Sequence, residues 1–308
     1  MVRNPFETNR TDTTGDDGQL RSARLSRRSY LTGSTATALG VSGLLGSMSA
    51  TADDTDTDSG TVLSLEYDDY DDPQEIYDIN DVRGSHVPTF ATDRSTRGDR
   101  SLYTTFTGEQ KIANCEYRFP QTVGSPQDEV YTRFKLYPEG FALNPDDTIR
   151  VFWAPLTNGT GSSGGGASNG ANGWSNAIGF ANRNNSPAPD GYKFFSYSYH
   201  MDNSGSGDFQ MTDAVVQMDE WNELECYIKV NTFENGTANP DGVMRYWVNG
   251  ELAFEDTTMR FTTTEDNRIE AVGPLGYAVG TARGSLYYDH HDICLDMDRE
   301  AAREALEE

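Results

Sequence analysis

The chain has 308 residues, of which 49 are acidic and 24 basic, and its formal net charge at pH 7 is −25. This length is enough for one large hydrophobic core or two smaller ones. The sequence contains no basic patch, which argues against a nucleic-acid-binding protein.

The N-terminal region combines basic residues with an uncharged stretch. Arg27 and Arg28 stand in the segment SRRSYL, and residues 31–50 carry no charge and are diluted by Gly, Ser and Thr. A membrane span needs about 20 mostly apolar residues, so this weakly apolar stretch indicates a twin-arginine signal peptide over residues 1–52, ending in an A-x-A cleavage site. We therefore expect an exported protein, extracellular or at the cell surface, with no stable membrane insertion after cleavage.

Acidic residues dominate the part of the chain that follows. Removal of residues 1–52 leaves 45 acidic residues against 18 basic ones, and the whole chain has only four lysines. Acids spread along the chain with so little lysine are typical of a halophilic surface. Because the Debye length falls to about 3 Å at molar salt, this charge does not exclude an anionic substrate. Residues 53–61 form an acidic spacer that we expect to be disordered.

The remaining sequence, residues 62–308, has the pattern of an all-β domain. Short runs of β-branched and aromatic residues recur, and Gly, Asn, Asp and Pro separate them. The predicted strands are 102–107, 130–137, 148–155, 174–182, 192–200, 221–232, 243–248 and 286–295. Helical periodicity is confined to residues 299–306. Many short strands without intervening helices predict one concanavalin A-like β-jelly-roll sandwich with a short C-terminal helix.

Cysteines and acidic loops leave two structural questions open. Cys115, Cys226 and Cys294 permit either one disulfide with a free thiol or three buried thiols, and no spacing among them indicates zinc. The acidic loops 68–72 and 289–292 could supply oxygen ligands for a structural Ca²⁺. We expect no required cofactor and no catalytic metal.

A tyrosine-rich strand is the first candidate for chemistry. The segment YKFFSYSYH covers residues 192–200, and alternation places Lys193, Phe195, Tyr197 and Tyr199 on one face. Two phenols and a cation on one face can move protons, although tyrosines are also common packing residues of strands. His200 points to the opposite face by the same alternation and is interpreted as a packing or edge residue.

A second candidate is an isolated cation in an apolar strand. Arg150 is flanked by Ile149 and Val151. An arginine in this position serves either a structural ion pair or the binding of a carboxylate, and the sequence leaves both readings open.

Four segments in chain order resemble the jelly-roll polysaccharide lyases of family 14 and, more distantly, the glucuronan lyases of family 20. They are VYTRFKLYPEGF (130–141), YSY (197–199), W221 leading to KVNT (229–232), and DGVMRYWVNG (241–250). The resemblance spans about residues 102–295. The most recognisable part of this resemblance is shared more widely by concanavalin-like jelly rolls. It therefore indicates the fold more strongly than the activity.

The resemblance implies β-elimination of a uronate polysaccharide such as alginate or glucuronan. In this reaction a cation neutralises the uronate carboxylate, a base removes the C5 proton, and an acid protonates the departing O4 oxygen. The family's Tyr-x-Tyr matches Tyr197 and Tyr199, and the serine of its Ser-x-Arg strand matches Ser175. Ala177 stands in place of the family's arginine, so the charge must come from Arg150, which only approximately replaces a family lysine, or from Lys193 or Arg183. Phe195 is a further expected substrate contact.

Two other functions compete with this hypothesis. The missing arginine favours a non-catalytic carbohydrate-binding or adhesive module on the same fold, which needs only aromatic and polar contacts. A glycoside hydrolase needs two carboxylates facing the scissile bond, and Glu223 with Glu225 is the only weak candidate pair. In either lyase or module the expected partner is a polysaccharide, anionic in the lyase case.

Overall fold

The computed structural model describes residues 60–83, 87–108, 112–157, 168–182, 191–203 and 205–307. The predicted signal peptide and residues 53–59 of the predicted spacer lie outside the described residues. The domain boundaries proposed from the sequence therefore stay predictions.

Strands make up most of the described chain. Their bounds are β1 (Thr61–Leu65), β2 (Asp78–Arg83), β3 (Thr89–Ala91), β4 (Ser101–Thr107), β5 (Ile112–Arg118), β6 (Glu129–Leu143), β7 (Thr148–Leu156), β8 (Ser175–Ala181), β9 (Gly191–Tyr199), β10 (Asp208–Gln217), β11 (Asn222–Lys229), β12 (Phe233–Glu234), β13 (Thr237–Ala238), β14 (Gly242–Val248), β15 (Glu251–Met259), β16 (Ala271–Val279) and β17 (Ala282–Leu295). The α-helices are α1 (Phe119–Thr122) and α2 (Arg299–Glu307), and two short 3-10 helices cover Tyr67–Asp69 and Pro73–Glu75. Within the described ranges, no helix is both long and apolar enough to cross a bilayer.

Two antiparallel sheets contain nearly all of these strands. The first sheet has the order β15-β14-β11-β6-β17-β4-β3, with β1 also paired to β17, and the second has the order β10-β9-β8-β7-β16-β5-β2. Strands that are neighbours in a sheet are often far apart in sequence, as in β6 and β17. The predicted all-β sandwich with a short C-terminal helix is confirmed.

Four long strands were missed by the sequence pattern, and the structure explains three of them. β10 and β15 are edge strands whose side chains are nearly all exposed or half-buried, so they lack a clear apolar alternation. β16 contains Gly273, Pro274 and Gly276, and these residue types are typical of a turn. The register of β16 with β7 shifts on both sides of Gly273 and Pro274, so these residues occupy β-bulges in a central strand. β5 begins at Ile112 and was also not predicted.

The core lies between the two sheets. Phe134 of the first sheet stacks on Phe152 of the second, with ring centroids 4.1 Å apart, and Phe141 meets Phe180 edge to face at 5.3 Å. Such pairs hold the sheets together through area burial and ring geometry. The three cysteines are free and buried, so of the two alternatives the structure shows three buried thiols.

Helix α2 packs on the outer face of the first sheet. Ala302 is buried there against a cluster that includes Tyr131 and Trp247. The carboxylate of Glu225, which is fully buried, accepts hydrogen bonds from Arg299 at 2.7 and 2.8 Å and from Arg303 at 3.1 Å. The helix is thus held by a buried ion pair.

A buried histidine, His291, belongs to β17 of the first sheet. The Nδ1 atom of His291 is 2.7 Å from the Tyr77 hydroxyl, which is in turn 2.9 Å from the Tyr67 hydroxyl. Among the described residues the Nε2 atom of His291 has no hydrogen-bond partner. Burial lowers the pKa of His291 to about 3, so the ring is neutral in the folded protein.

We expect this histidine to make stability pH-dependent. Between the ordinary pKa of 6.5 and the folded pKa of about 3, only the unfolded chain binds the proton. The free energy of unfolding should therefore fall as pH drops through this window, by about 2 kcal/mol from this group between pH 8 and pH 5. Urea unfolding of the wild type and of His291→Asn at both pH values measures the difference.

At pH 8 the histidine is neutral in both states, so the wild type and His291→Asn differ there only in packing and hydrogen bonding. That comparison is the control. An equal loss of stability in both proteins between pH 8 and pH 5 would contradict the role assigned to His291.

Candidate functional site

The tyrosine pair lies outside the interior of the sandwich. Alternation along β9 places Phe194 in the core between the sheets and directs Tyr197 and Tyr199 to the outer face of the second sheet. The two phenols were predicted to share one face, and the structure places them so.

A buried polar network supports this strand from the core side. The side-chain amide of Asn176 on β8 donates hydrogen bonds to the hydroxyls of Ser196 and Ser198 on β9, at 2.7 and 2.5 Å. Its carbonyl oxygen accepts a hydrogen bond from the Tyr246 hydroxyl of the opposite sheet at 2.7 Å. Because every member is buried, breaking the network would leave unpaired polar groups, and it therefore holds β9 in place.

The two phenols are in contact with each other. Their hydroxyl oxygens are 3.4 Å apart and their rings meet edge to face at 5.3 Å. Tyr197 is 8 % exposed and Tyr199 is 3 % exposed. Burial raises the pKa of Tyr197 above its ordinary value of 10, and the charge of Arg150 offsets only part of that rise. The Tyr197 phenol therefore stays protonated at neutral pH.

Arg150 stands over the ring of Tyr197. Its guanidinium carbon lies 4.2 Å from the ring centroid of Tyr197 and 4.8 Å from that of Tyr277 on β16. Burial lowers the pKa of Arg150, and its interactions with the phenols of Tyr197, Tyr199 and Tyr277 act in the opposite direction. An arginine remains charged in such an environment, so a cation is held between two aromatic rings.

No acidic partner neutralises this cation within the described part of the chain. Other partly buried arginines pair closely with carboxylates, as Arg133 does with Asp292 at 2.9 Å and Arg299 with Glu225 at 2.7 Å. Of the two roles considered for Arg150, a structural ion pair is not formed among the described residues, and the carboxylate anchor stays a prediction.

Small residues on the intervening strand let Arg150 reach Tyr197. Arg150 is on β7 and Tyr197 on β9, with β8 between them. In the ladder Arg150 lies opposite Gly179, and Tyr197 lies opposite Ala177. The arginine side chain therefore crosses β8 where no large side chain projects. Ala177 is the position at which the family resemblance implies an arginine.

The other predicted site residues have different surroundings. Ser175 is buried and lies opposite Tyr199 in the ladder. Lys193 is four residues from Tyr197, about 13 Å along the strand, and pairs with Asp213 at 2.8 Å.

Phe195 is 1 % exposed and stacks on Phe209 at 4.6 Å, so it packs within the protein. Arg183 lies outside the described residues. Their assignment to substrate binding stays a prediction.

His200 lies at the edge of the second sheet. Its Nε2 atom is 2.9 Å from a carboxylate oxygen of Asp208 and 3.1 Å from the amide nitrogen of Asn203. It contacts loop and edge residues, as the packing interpretation expects.

Two aromatic residues of the site were not found from the sequence. Tyr277 supplies the second aromatic ring that contacts Arg150. It was missed because the glycines and the proline of β16 are not typical of a strand. Trp153 is 6 % exposed and donates from its indole nitrogen to Asn114 at 3.4 Å. The alternation of residues 148–155 would place Arg150 and Trp153 on opposite faces, but a register shift between Arg150 and Phe152 intervenes.

The alternative chemical sites are not assembled among the described residues. Glu223 and Glu225 are on the first sheet, and Glu225 is fully buried in the ion pair under α2, away from the phenols. Asp289 and Asp292 accept hydrogen bonds from Thr96, Arg97 and Arg133. The described residues contain no group of three or more His, Cys, Asp or Glu side chains arranged to hold a metal.

The fold is that of the jelly-roll alginate lyases, as the resemblance implied. The solved structure of alginate lyase Aly36B matches with a TM-score of 0.53 and 17 % identity, covering 77 % of this chain and 97 % of that one. The PL-14 alginate lyase from Aplysia kurodai matches with a TM-score of 0.53 and 15 % identity over 72 % of this chain and 92 % of that one.

The endo-beta-1,4-glucuronan lyase from the fungus Trichoderma reesei is more distant, with a TM-score of 0.46 and 14 % identity over 70 % of this chain and 90 % of that one. No family model matches the sequence, and no curated protein matches it. The likeness to the two alginate lyases establishes the fold, and the activity has to be argued from the site.

Proposed function

We propose that this chain is a polysaccharide lyase that cleaves a uronate-containing polymer by β-elimination. The observation that carries the proposal is Arg150, a cation without an acidic partner among the described residues, stacked on Tyr197 beside Tyr199. A uronate carboxylate bound to Arg150 would present its sugar ring to both phenols.

The reaction assigns one task to each side chain. Arg150 pairs with the carboxylate and so makes the C5 proton more acidic. The phenolate of Tyr199 takes that proton, and Tyr197 donates its own proton to O4 as the C4–O4 bond breaks and a C4=C5 double bond forms. The raised pKa of Tyr197 suits a proton donor, because the phenol keeps its proton until O4 accepts it.

Access to the phenols requires movement around them. Gly207 and Phe209 pack against the ring of Tyr197, and a Cβ atom on Gly207 would lie 2.8 Å from that ring. Polymer binding must therefore displace the start of β10. A mutant of Aly36B has been solved in complex with alginate trisaccharide, so an alginate-type chain is the first substrate to examine.

The experiment measures the absorbance of the unsaturated uronate that β-elimination creates. Purified protein in molar salt is incubated with alginate, glucuronan and related polymers, together with the variant Arg150→Met. We expect product from at least one polymer and a loss of about 10²–10³ in kcat/KM in the variant. Arg245→Met serves as the control, because Arg245 pairs with Glu255 on the first sheet. A flat trace across all polymers, or equal activity of Arg150→Met and wild type, contradicts the proposal.

A non-catalytic carbohydrate-binding module is the second candidate function. The near-complete burial of Tyr197 and Tyr199, with Ala177 in place of an arginine, favours it. Such a module would bind glycan without releasing unsaturated product.

We also propose that the protein acts outside the cell. The paired Arg27 and Arg28 before a weakly apolar stretch and an A-x-A site support this proposal. The acidic composition further supports a halophilic, exported protein.

A further inference from the structure

A row of four aromatic side chains crosses the first sheet, on the side of the sandwich opposite to the tyrosine pair. Tyr103 of β4 lies directly opposite Tyr287 of β17, and Tyr287 lies directly opposite Tyr137 of β6. Trp221, immediately before β11, continues the row beside Tyr137. We call these four residues the aromatic row.

The rings of the aromatic row are in contact along its length. The centroids of Tyr103 and Tyr287 are 4.8 Å apart, those of Tyr287 and Tyr137 are 6.3 Å apart, and those of Tyr137 and Trp221 are 5.4 Å apart. Since the strands are neighbours, the row runs across the strands of the sheet as one continuous strip.

The aromatic row belongs to neither the core nor the cluster under α2. The residues that flank it on the same strands, such as Leu102, Leu136 and Tyr288, point into the core, so alternation turns the row outward. Tyr103, Tyr137 and Trp221 are partly exposed, and Tyr287 is buried. A contiguous strip of outward aromatic rings signals a binding surface more often than isolated exposed residues do.

A planar group already stacks on the middle of the strip. The guanidinium carbon of Arg94 lies 4.0 Å from the ring centroid of Tyr137 and 5.4 Å from that of Tyr287. Arg94 also pairs with Glu139 at 2.6 Å. The Tyr287 hydroxyl donates to Asp93 at 3.3 Å and to Glu139 at 3.2 Å.

The chemistry of this strip matches an uncharged sugar chain. Ring faces accept the apolar faces of pyranose rings, and the charged side chains beside them can hydrogen-bond sugar hydroxyls. Arg94 already pairs with Glu139, and the carboxylates of Asp93 and Glu139 contact the strip directly, so Arg94 is not available to the carboxylates of a polyanion.

We propose that the aromatic row binds a neutral, hydroxyl-rich polysaccharide at a site separate from the one around Arg150. The row would hold the protein on such a polymer whether or not the other face cleaves a uronate chain. The competing interpretation is that the row only anchors the segment carrying Asp93 and Arg94 to the sheet.

The test is a depletion binding assay in molar KCl with insoluble β-glucan, insoluble mannan and cross-linked alginate beads. We expect the wild type to bind at least one neutral polymer, and Trp221→Ala and Tyr103→Ala each to weaken that binding about tenfold. Leu252→Ala, which removes an exposed apolar side chain from β15 of the same sheet, should bind like the wild type. Circular dichroism of each variant confirms folding, and the milder Trp221→Leu replaces Trp221→Ala if that variant does not fold.

Three results would overturn the proposal. They are absence of wild-type binding to both neutral polymers, equal binding by wild type and the row variants, and row-dependent binding to alginate alone. Tyr199→Phe should bind neutral polymer like the wild type, so failure of the lyase proposal and failure of this one remain distinguishable.

Discussion

Replacing Tyr199 by phenylalanine should reduce the formation of unsaturated uronate by about 10²–10⁴-fold, because the variant has no phenolic oxygen to take the C5 proton. The ring and its edge-to-face contact with Tyr197 are kept, so the fold and the Arg150 site should persist. The loss should therefore appear in kcat and much less in KM. Initial rates across a range of substrate concentrations measure both.

Tyr192→Phe is the matched control for that experiment. Tyr192 is on the same strand but faces the other side, where its ring stacks on Phe180 at 5.9 Å and its hydroxyl accepts a hydrogen bond from the backbone of Leu143. Its variant should retain wild-type kcat. If Tyr199→Phe releases product at the wild-type rate, the lyase mechanism is wrong. If wild type and variant bind glycan equally and neither releases product, the protein is a binding module.

Replacing Glu225 by glutamine should lower the free energy of unfolding by about 2–4 kcal/mol. The loss is smaller than for an ion pair in which both side chains are buried, because Arg299 and Arg303 are partly exposed to solvent. Burial opposes ionisation of Glu225, but hydrogen bonds from Arg299 and Tyr131 and the charges of Arg299 and Arg303 outweigh it and lower the pKa. The uncharged glutamine side chain of the variant cannot neutralise the charges of Arg299 and Arg303. Urea unfolding in molar salt measures the change, and hydrogen exchange should show loss of protection in α2.

Glu223→Gln provides the comparison on the same strand and the same face. Glu223 is partly exposed, and its contact with Arg303 is 3.7 Å long, so its replacement should cost less than about 1 kcal/mol. A loss in Glu225→Gln no larger than in Glu223→Gln would show that the buried ion pair does not hold the helix.

Much of the fold could be predicted from local pattern. The tyrosine-rich strand and the strand around Arg150 are both found, at 191–199 and 148–156, because their alternation and β-branched or aromatic content are properties of single segments. β16 could not be predicted, because Gly273 and Pro274 are typical of turns. They fit a central strand only through the bulges formed with β7.

The site was only partly predictable. Strand geometry predicts that Tyr197 and Tyr199 share one face. It does not predict which of the nearby cations pair with an acidic residue. Lys193 shares that face and is nevertheless paired with Asp213, because β10 returns beside β9 with a bulge between Met211 and Val215.

The sequence by itself determined that the chain forms a β sandwich and that two phenols project from one strand, since side-chain alternation with period two is a local property of an extended backbone. Only the tertiary structure decided that Arg150 meets Tyr197 across β8, that Tyr277 completes its surroundings, and that four aromatic residues line up on the opposite face. Those contacts join residues far apart in the chain. They depend on strand order and on the register shifts that bulges introduce, which no single segment encodes.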